Sequence, residues 1–157
     1  METTETVIEN GIKLPIRLLL QERHYVSALI LIYSGIETMA LINLPLQKAD
    51  VMRSDFILWV ESYLLPFLPQ EVRLTGKDIY GARCGVLRGT DSRLAREGHC
   101  RKIRYKGAGK DASVLSVEEL ANAFFQATDE FVSDSLRNDK RAAFEARLKR
   151  MVENLPF

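Results

Sequence analysis

The sequence predicts an all-α protein, an up-and-down bundle of about five to six helices with one long basic loop. Apolar residues recur at intervals of three and four in successive segments, and no stretch alternates long enough to build a sheet. A chain of 157 residues that is 46% hydrophobic can bury one core and fits one domain better than two. We therefore expect a single helical domain at residues 13–157, after a flexible lead-in at residues 1–12 that ends at Gly11.

The first two predicted helices include the most apolar part of the chain. A short helix begins near Pro15, a residue suited to a first helical turn, and runs to His24. The segment YVSALILIYSGIETMALINLPL, residues 25–46, then forms a long helix that Pro45 closes. It imitates a membrane span, but inserting Glu37 would cost about 2.5 to 3.5 kcal/mol, so we expect a fully buried central helix and no membrane partner. The predicted inward positions are Ala28, Ile32, Gly35, Ile36, Met39 and Ala40.

Capping residues mark the third and fourth helices. Asp50 is a candidate N-cap for the third helix, which Pro66 ends. Thr75 and Asp78 form a capping pair that begins the fourth. The inward positions predicted for the third helix are Met52, Phe56, Trp59, Val60, Tyr63 and Leu64, and those for the fourth are Ile79, Ala82, Val86 and Leu87.

Two more helices complete the bundle. Ser116 with Glu119 fits a capping box that begins the fifth helix, and a sixth follows the break at Asn138 and Asp139. The fifth helix is predicted to bury Leu120, Phe124, Ala127 and Phe131, and the sixth to bury Phe144, Leu148, Met151, Val152 and Leu155.

The loop between the fourth and fifth helices, residues 89–113, is basic. Residues 83–110 hold nine Lys or Arg against two acids, whereas residues 118–139 hold six acids against one base, although the net charge is only +1. The segment RKIRY, residues 101–105, alternates briefly and predicts an extended strip. The loop either tracks a nucleic-acid backbone, is simply solvated, or pairs with the acidic helix of its own fold. Its candidate nucleic-acid contacts are Arg93, Arg96, His99, Arg101, Lys102, Arg104, Tyr105 and Lys106, with the Tyr105 ring available to stack on bases.

An arginine lies on the inward side of the fourth helix, within YGARCGVLRGT at residues 80–90. Arg83 follows Ile79 by four residues and therefore shares its face. A guanidinium keeps its proton, so burial demands a carboxylate, carbonyls, water or an anionic ligand. Glu37, alone on the most apolar helix, has the complementary need. We predict that the two pair, either as a structural ion pair or as part of a functional site.

Glycines form a strip on the same helix. Gly81, Gly85 and Gly89 recur every four residues, and each costs up to about 1 kcal/mol in a helix interior. A strip without side chains allows the backbone of another helix to approach closely. That helix belongs either to the same chain or to a second copy.

Four segments, SALILIYSGIETMALINLP, DFILWVESYL, DIYGARCGVLR and RKIRY, resemble the HEPN superfamily of small helical domains. The resemblance spans about residues 14–136 and is closest to bacterial and plasmid-borne HEPN-like proteins of similar length. It implies a bundle that pairs into a homodimer, with an arginine, four to six residues and a histidine on the penultimate core helix. In active members the two motifs meet in a cleft between protomers and cut RNA without a metal.

The histidine of that motif is missing here. Arg83 matches the motif arginine, Glu37 lies where some members carry an acid, and the three possible histidine positions hold Arg88, Gly89 and Thr90. Loss of a general base with near-neutral pKa typically costs about 10²- to 10⁴-fold in rate. The resemblance therefore implies a weakened or inactive ribonuclease. Its candidate site residues are Arg83, Arg88 and Glu37, and the two arginines retain the ability to bind phosphate.

Other site chemistries receive less support. His99 is a candidate replacement base from the loop, but a loop histidine beside arginines is more often solvated, and His24 is better placed as a cap or surface residue. The two histidines with Cys84 and Cys100 lack the paired spacing of a metal site. Cys84 also lacks a recognisable base nearby and suits the role of a small apolar filler.

The segment GAGK, residues 107–110, does not complete a phosphate-binding loop. Arg104 stands where the upstream glycine is needed, and Asp111 replaces the required hydroxyl. No nucleoside triphosphate, other cofactor or metal is therefore expected.

Three functions follow from these patterns. The preferred one is a homodimeric module that binds RNA or phosphate groups, and the alternatives are an active endoribonuclease with a substituted base and an interaction domain without a ligand. The expected partners are a second copy, RNA and a second protein from the same operon. Two cysteines are too few for a disulfide framework, and the start of the sequence lacks a secretory leader, so we expect a cytoplasmic protein.

Overall fold

The computed structural model describes residues 2–89, 101, 103–106, 115–137 and 139–156. Over these residues the chain is an all-α bundle, as predicted, with six helices and one short pair of strands. The helices are α1 (Glu2–Thr4, Glu5–Lys13 with π-helical hydrogen bonding, and Leu14–Gln21), α2 (Tyr25–Ile42), α3 (Arg53–Trp59, continued by the π-helical Val60–Leu64 and the 3-10 turn Leu65–Phe67), α4 (Gly76–Arg88), α5 (Val117–Arg137) and α6 (Arg141–Glu153). A separate 3-10 turn, Gln70–Val72, precedes α4, and strands β1 (Tyr105–Lys106) and β2 (Leu115–Ser116) pair in parallel.

The N-terminal segment, predicted as a flexible lead-in at residues 1–12, is helical from Glu2. Helix α1 runs through Gly11, and Val7 and Ile8 are buried in the core. Polar residues dominate the start of the segment, which hid the helical spacing of Val7 and Ile8 with Ile12. A glycine inside a helix costs about 1 kcal/mol, and burial of this apolar stripe offsets that cost.

Helix α2 is the centre of the bundle. All six of its predicted inward residues are buried, and it ends at Ile42 before Pro45. Gly35 is needed for packing, because a Cβ there would lie 2.6 Å from the Phe124 ring on α5. Among the described residues α2 is the one helix long and apolar enough to cross a membrane, and half of it is buried. The prediction that α2 is fully buried was wrong, because Val26 and Ile30 are exposed on its other side.

Helix α3 begins later than predicted. Met52, rather than Asp50, occupies the N-cap position, and its backbone N–H donates to the Asp55 carboxylate at 2.8 Å. Met52 is exposed, because it precedes the helix. Phe56, Trp59, Val60 and Leu64 are buried as predicted and Tyr63 is half-buried.

The predicted caps of α4 and α5 are confirmed. Thr75 Oγ1 accepts from the Asp78 backbone at 3.2 Å, and the Asp78 carboxylate accepts from the Thr75 backbone at 2.8 Å. Ser116 and Glu119 make the equivalent reciprocal pair, with both distances at 3.0 Å. On α5 the predicted inward residues Leu120, Phe124, Ala127 and Phe131 are all buried.

Helix α6 packs across the ends of α2 and α5. Phe144 and Leu148 are buried as predicted, whereas Leu155 is exposed because it follows the end of the helix. The Arg147 guanidinium is also buried and donates to the backbone carbonyls of Pro45 and Lys48. It therefore fastens α6 to the connection between α2 and α3.

Candidate functional site

The predicted ion pair joins α4 to α2. Arg83 Nη2 donates to Glu37 Oε1 at 2.6 Å, with the Arg83 side chain 9% exposed and the Glu37 side chain 35% exposed. Burial acts to lower the pKa of Arg83, but the hydrogen bond and charge of Glu37, with a smaller effect from Cys84, raise it above its ordinary value. Arg83 is therefore held in its charged form, at the border between core and surface.

Two neighbours on α4 enclose the guanidinium of Arg83. The Tyr80 ring lies with its centroid 5.7 Å from the guanidinium carbon, within the range of a cation–π contact. Cys84 is buried beside both side chains. Arg83 Nε is also buried and has no hydrogen-bond partner among the described residues. A buried donor in this condition needs water or a ligand atom, because leaving it unpaired costs free energy.

Arg88 lies beyond this pair, exposed in the last turn of α4. It follows Arg83 by five positions, which turns it about 140° around the helix axis. Burial and the Cys84 thiol raise the pKa of Tyr80, while the positive charges of Arg83 and Arg88 both oppose that rise. Both arginines therefore lie within electrostatic reach of the Tyr80 hydroxyl, although only Arg83 contacts Glu37.

Gly85, the middle position of the glycine strip, faces away from the rest of the described fold. A Cβ built on Gly85 would meet no described atom within 4 Å, so no described helix of the same chain approaches there. Gly89 has a separate explanation: its φ of 64° is the left-handed conformation that ends a helix. Lys77, Gly81 and Gly85 lie on the same outward side of α4 as Arg88.

Helix α2 also presents a partly exposed stripe on the side that carries Glu37. Val26 is 71% exposed and Ile30 is 40% exposed. With Ser34, Glu37 and Leu41 they fall within about 80° of the helix circumference. The acid that binds Arg83 therefore belongs to a surface that is otherwise mostly apolar.

The described part of the basic loop folds back onto the start of α4. The Arg101 backbone N–H donates to Asp78 Oδ1 at 2.5 Å, and its guanidinium contacts the Arg73 carbonyl and Asp78 Oδ2, the latter at 3.3 Å. Burial alone would raise the pKa of Asp78, but the hydrogen bonds from Arg101 and Thr75 and the charge of Arg101 hold it below its ordinary value. Arg101 thus fits the alternative in which the loop pairs with its own fold.

Tyr105 is placed differently from the prediction of a free stacking surface. Its hydroxyl meets the hydroxyl of Tyr33, which is fully buried on α2, and the two rings pack edge-on with centroids 6.4 Å apart. Burial raises the pKa of both phenols. No sequence pattern indicates this contact, because Tyr33 and Tyr105 are distant in the chain and Tyr33 has the spacing of one more inward residue of α2.

The remaining predicted loop residues divide into two groups. Arg104 is exposed, and Lys106 belongs to β1, so the predicted extended strip continues into this strand. Arg93, Arg96, His99 and Lys102 lie outside the described residues, as does the GAGK segment. They stay predictions.

Other candidate chemistry is sparse over the described ranges. They contain no group of three or more His, Cys, Asp or Glu side chains that could hold a metal ion. His24 is exposed at the N-cap position of α2 and makes no side-chain capping bond. No protein-family model, curated protein or solved structure matches the chain.

Proposed function

We propose that this chain is a HEPN-like homodimeric module that binds RNA through its phosphates, in a cleft formed by α2 and α4 of two copies. One observation carries the proposal: the buried Arg83 is bound to a carboxylate on a partly exposed apolar stripe. A buried ion pair adds little stability over well-packed apolar residues. A charge pair at the border of an unpartnered surface is therefore better explained by a ligand than by folding.

Exposed cations lie along the outward side of α4 and at its beginning. Lys77 and Arg88 lie on the outward side of α4, while Arg73 and Arg101 lie at its beginning. Neutralising phosphates with Lys and Arg releases counterions and supplies most of non-specific nucleic-acid affinity. Lys77, Arg88 and Arg73 would hold the RNA backbone, whereas the Arg101 guanidinium is already bound to Asp78. The Arg83 Nε–H, which has no described acceptor, would donate a hydrogen bond to one ligand oxygen.

A second copy is proposed because two exposed surfaces suit close packing. The open position at Gly85 would admit a helix backbone. Val26 and Ile30 on α2 offer exposed apolar side chains to the same partner. Pairing of these surfaces would cover the apolar stripe and bring two Arg83–Glu37 pairs to one cleft. We propose the cytoplasm as the location of the protein.

Binding without efficient cleavage is the expected activity. The position of the missing histidine is occupied by Arg88, whose guanidinium cannot accept a proton. Glu37 already accepts a hydrogen bond from Arg83, so this carboxylate oxygen is occupied. The site therefore retains groups that bind phosphate and lacks a group suited to deprotonate a 2′-hydroxyl.

The test measures binding of a labelled single-stranded RNA over a range of salt concentrations. Affinity should fall linearly on a log–log scale, and Arg88→Ala should reduce the slope by about 1, as expected for one lost phosphate contact. The matched control is Arg150→Ala, because Arg150 is also exposed in the last turn of a helix. Binding that does not respond to salt, or equal losses in the two variants, would contradict the proposal.

RNA length after incubation with a chelator separates binding from catalysis. Intact RNA is expected with the wild type. If the wild type shortens the RNA and the Arg83→Ala variant does not, the protein is instead an active ribonuclease. Arg88→His restores a histidine at a motif position. Cleavage gained by that variant would show that the rest of the site is intact.

A further inference from the structure

A groove lies among α1, α5 and α6, away from α4 and the Arg83–Glu37 pair. Its volume is about 580 Å³, which is within the range of ligand pockets. Val132 and Leu136 of α5 and Leu148 of α6 form an apolar floor. Leu136 is 40% exposed, which is unusual for a leucine that faces a concave surface.

The two walls of this groove differ in charge. Helix α1 contributes Thr3, Thr4, Glu5 and Glu9, and α6 contributes Arg141, Glu145 and Lys149. The cations of α6 have acids on their own helix: Arg141 Nε contacts Glu145 Oε1 at 2.9 Å, and Lys149 Nζ contacts Glu153 Oε1 at 3.8 Å.

The α1 wall keeps an unbalanced acid. Glu9 contacts the buried Lys13 at 2.8 Å, whereas Glu5 is exposed and makes no ion pair within the part of the chain that the structure describes. An occupant with positive charge on the α1 side would therefore complement Glu5.

We propose that this groove receives a basic amphipathic helix from another protein. Val132 and Leu136 are four residues apart on α5 and form an apolar row along its axis, which matches the row that a partner helix presents at positions i and i+4. The partner's apolar residues would lie on this row, and a lysine or arginine one turn away would face Glu5. The site is separate from the proposed RNA cleft and does not depend on it.

The probe is a labelled synthetic helical peptide of leucine and lysine with leucines at positions i, i+3 and i+4. A peptide with glutamate in place of every lysine is its charge control. Wild-type protein should bind the lysine peptide, and Leu136→Gln should weaken that binding roughly tenfold because an apolar contact is lost. Glu5→Gln, far from the core, should weaken it roughly two- to fivefold.

Matched substitutions elsewhere separate the groove from the general surface. Leu58→Gln changes an exposed leucine on α3, and Glu71→Gln changes an exposed acid before α4. Both controls should bind the lysine peptide within about twofold of wild type, as should Arg88→Ala. Thermal unfolding of Leu136→Gln checks that its fold is intact. If that variant is unfolded, the peptide affinity of Glu5→Gln tests the proposal instead.

Several results would overturn the proposal. These are no binding of the lysine peptide, equal binding of the glutamate peptide, or equal losses in the control variants. A wild-type protein that self-associates and is dissociated by Leu136→Gln would show that the groove is filled by a second copy instead. Loss of RNA binding alone would leave the groove proposal standing.

Discussion

Arg147 on α6 and Arg83 on α4 are both buried arginines, and they bond to different kinds of acceptor. Arg147 donates to the backbone carbonyls of Pro45 and Lys48, which the fold fixes in place. Arg83 donates to the carboxylate of Glu37, a side chain that is partly exposed and able to change partners. In both residues Nε is buried without a described acceptor, so this feature alone does not distinguish them.

The difference in acceptor separates a structural arginine from a candidate site. Removing Arg147 would take a charged donor from two carbonyls, although the Pro45 carbonyl also accepts from the Lys48 backbone at 3.0 Å. It would also release α6 from the connection between α2 and α3. Removing Arg83 would leave a carboxylate that water can reach. Arg147 is therefore expected to matter for stability, and Arg83 for binding.

The largest effect is expected from Arg147→Ala. It should lower the free energy of unfolding by about 2 to 4 kcal/mol, because two hydrogen bonds from a charged group are lost together with the packing of the arginine side chain. Urea unfolding measures this value, and the exposed Arg150→Ala on the same helix should stay within about 0.5 kcal/mol of wild type. If Arg147→Ala lowers the free energy of unfolding by less than Arg83→Ala does, the comparison between the two arginines is reversed.

A smaller effect is expected from Asp78→Asn, which tests the anchor of the basic loop. At neutral pH it should cost about 1 to 3 kcal/mol, because hydrogen bonds to a charged group are lost. The native pKa of Asp78 is lowered, so its contribution is complete above the unfolded value of about 3.9 and is lost as pH falls through the native pKa. The stability gap between wild type and variant should therefore be constant near neutrality and close below about pH 4. A gap that widens on acidification would contradict this sign.

Arg83→Met tests whether the pair is more important for binding than for folding. Stability should change by only about 1 kcal/mol, because an apolar side chain of similar length can fill the site and Glu37 can hydrate. RNA affinity should nevertheless fall. Parallel unfolding and RNA-binding titrations measure the two effects, and a large loss of stability with unchanged RNA affinity would make Arg83 a structural residue like Arg147.

The smallest effect on the isolated chain is expected at Gly85. Gly85→Ala should raise the free energy of unfolding by about 0.5 to 1 kcal/mol, since the helix interior gains a better helix former and no described atom is in the way. Gly85→Leu should keep the fold but separate the proposed homodimer in gel filtration. A Gly85→Leu protein that elutes like wild type would show that the strip is not a contact between copies.

Much of the fold could be predicted because its signals are local. The capping residues at Thr75 and Ser116 and the inward stripe of α5 depend on spacing within one helix. The start of α1 was missed because its apolar residues are few and Gly11 resembled a terminator. Helix α2 is less buried than predicted, because its apolar outward residues, Val26 and Ile30, carry the same hydropathy as its inward ones.

The candidate site could be predicted only where charge made burial costly. Arg83 and Glu37 were paired from the sequence because each needed a partner of opposite charge on an apolar helix. The contacts of Asp78 with Arg101 and of Tyr33 with Tyr105 were not predicted. They join residues far apart in the chain. Burying any one of these four side chains alone does not cost enough free energy to indicate its partner.

The stoichiometry of the complex between the protein and a short oligoribonucleotide tests the central claim most directly. Native mass spectrometry would measure it, over a range of protein concentrations. A cleft shared by two copies and containing both Arg83–Glu37 pairs predicts two chains for each RNA. A complex of one chain with one RNA, or no complex at any protein concentration, would contradict the account.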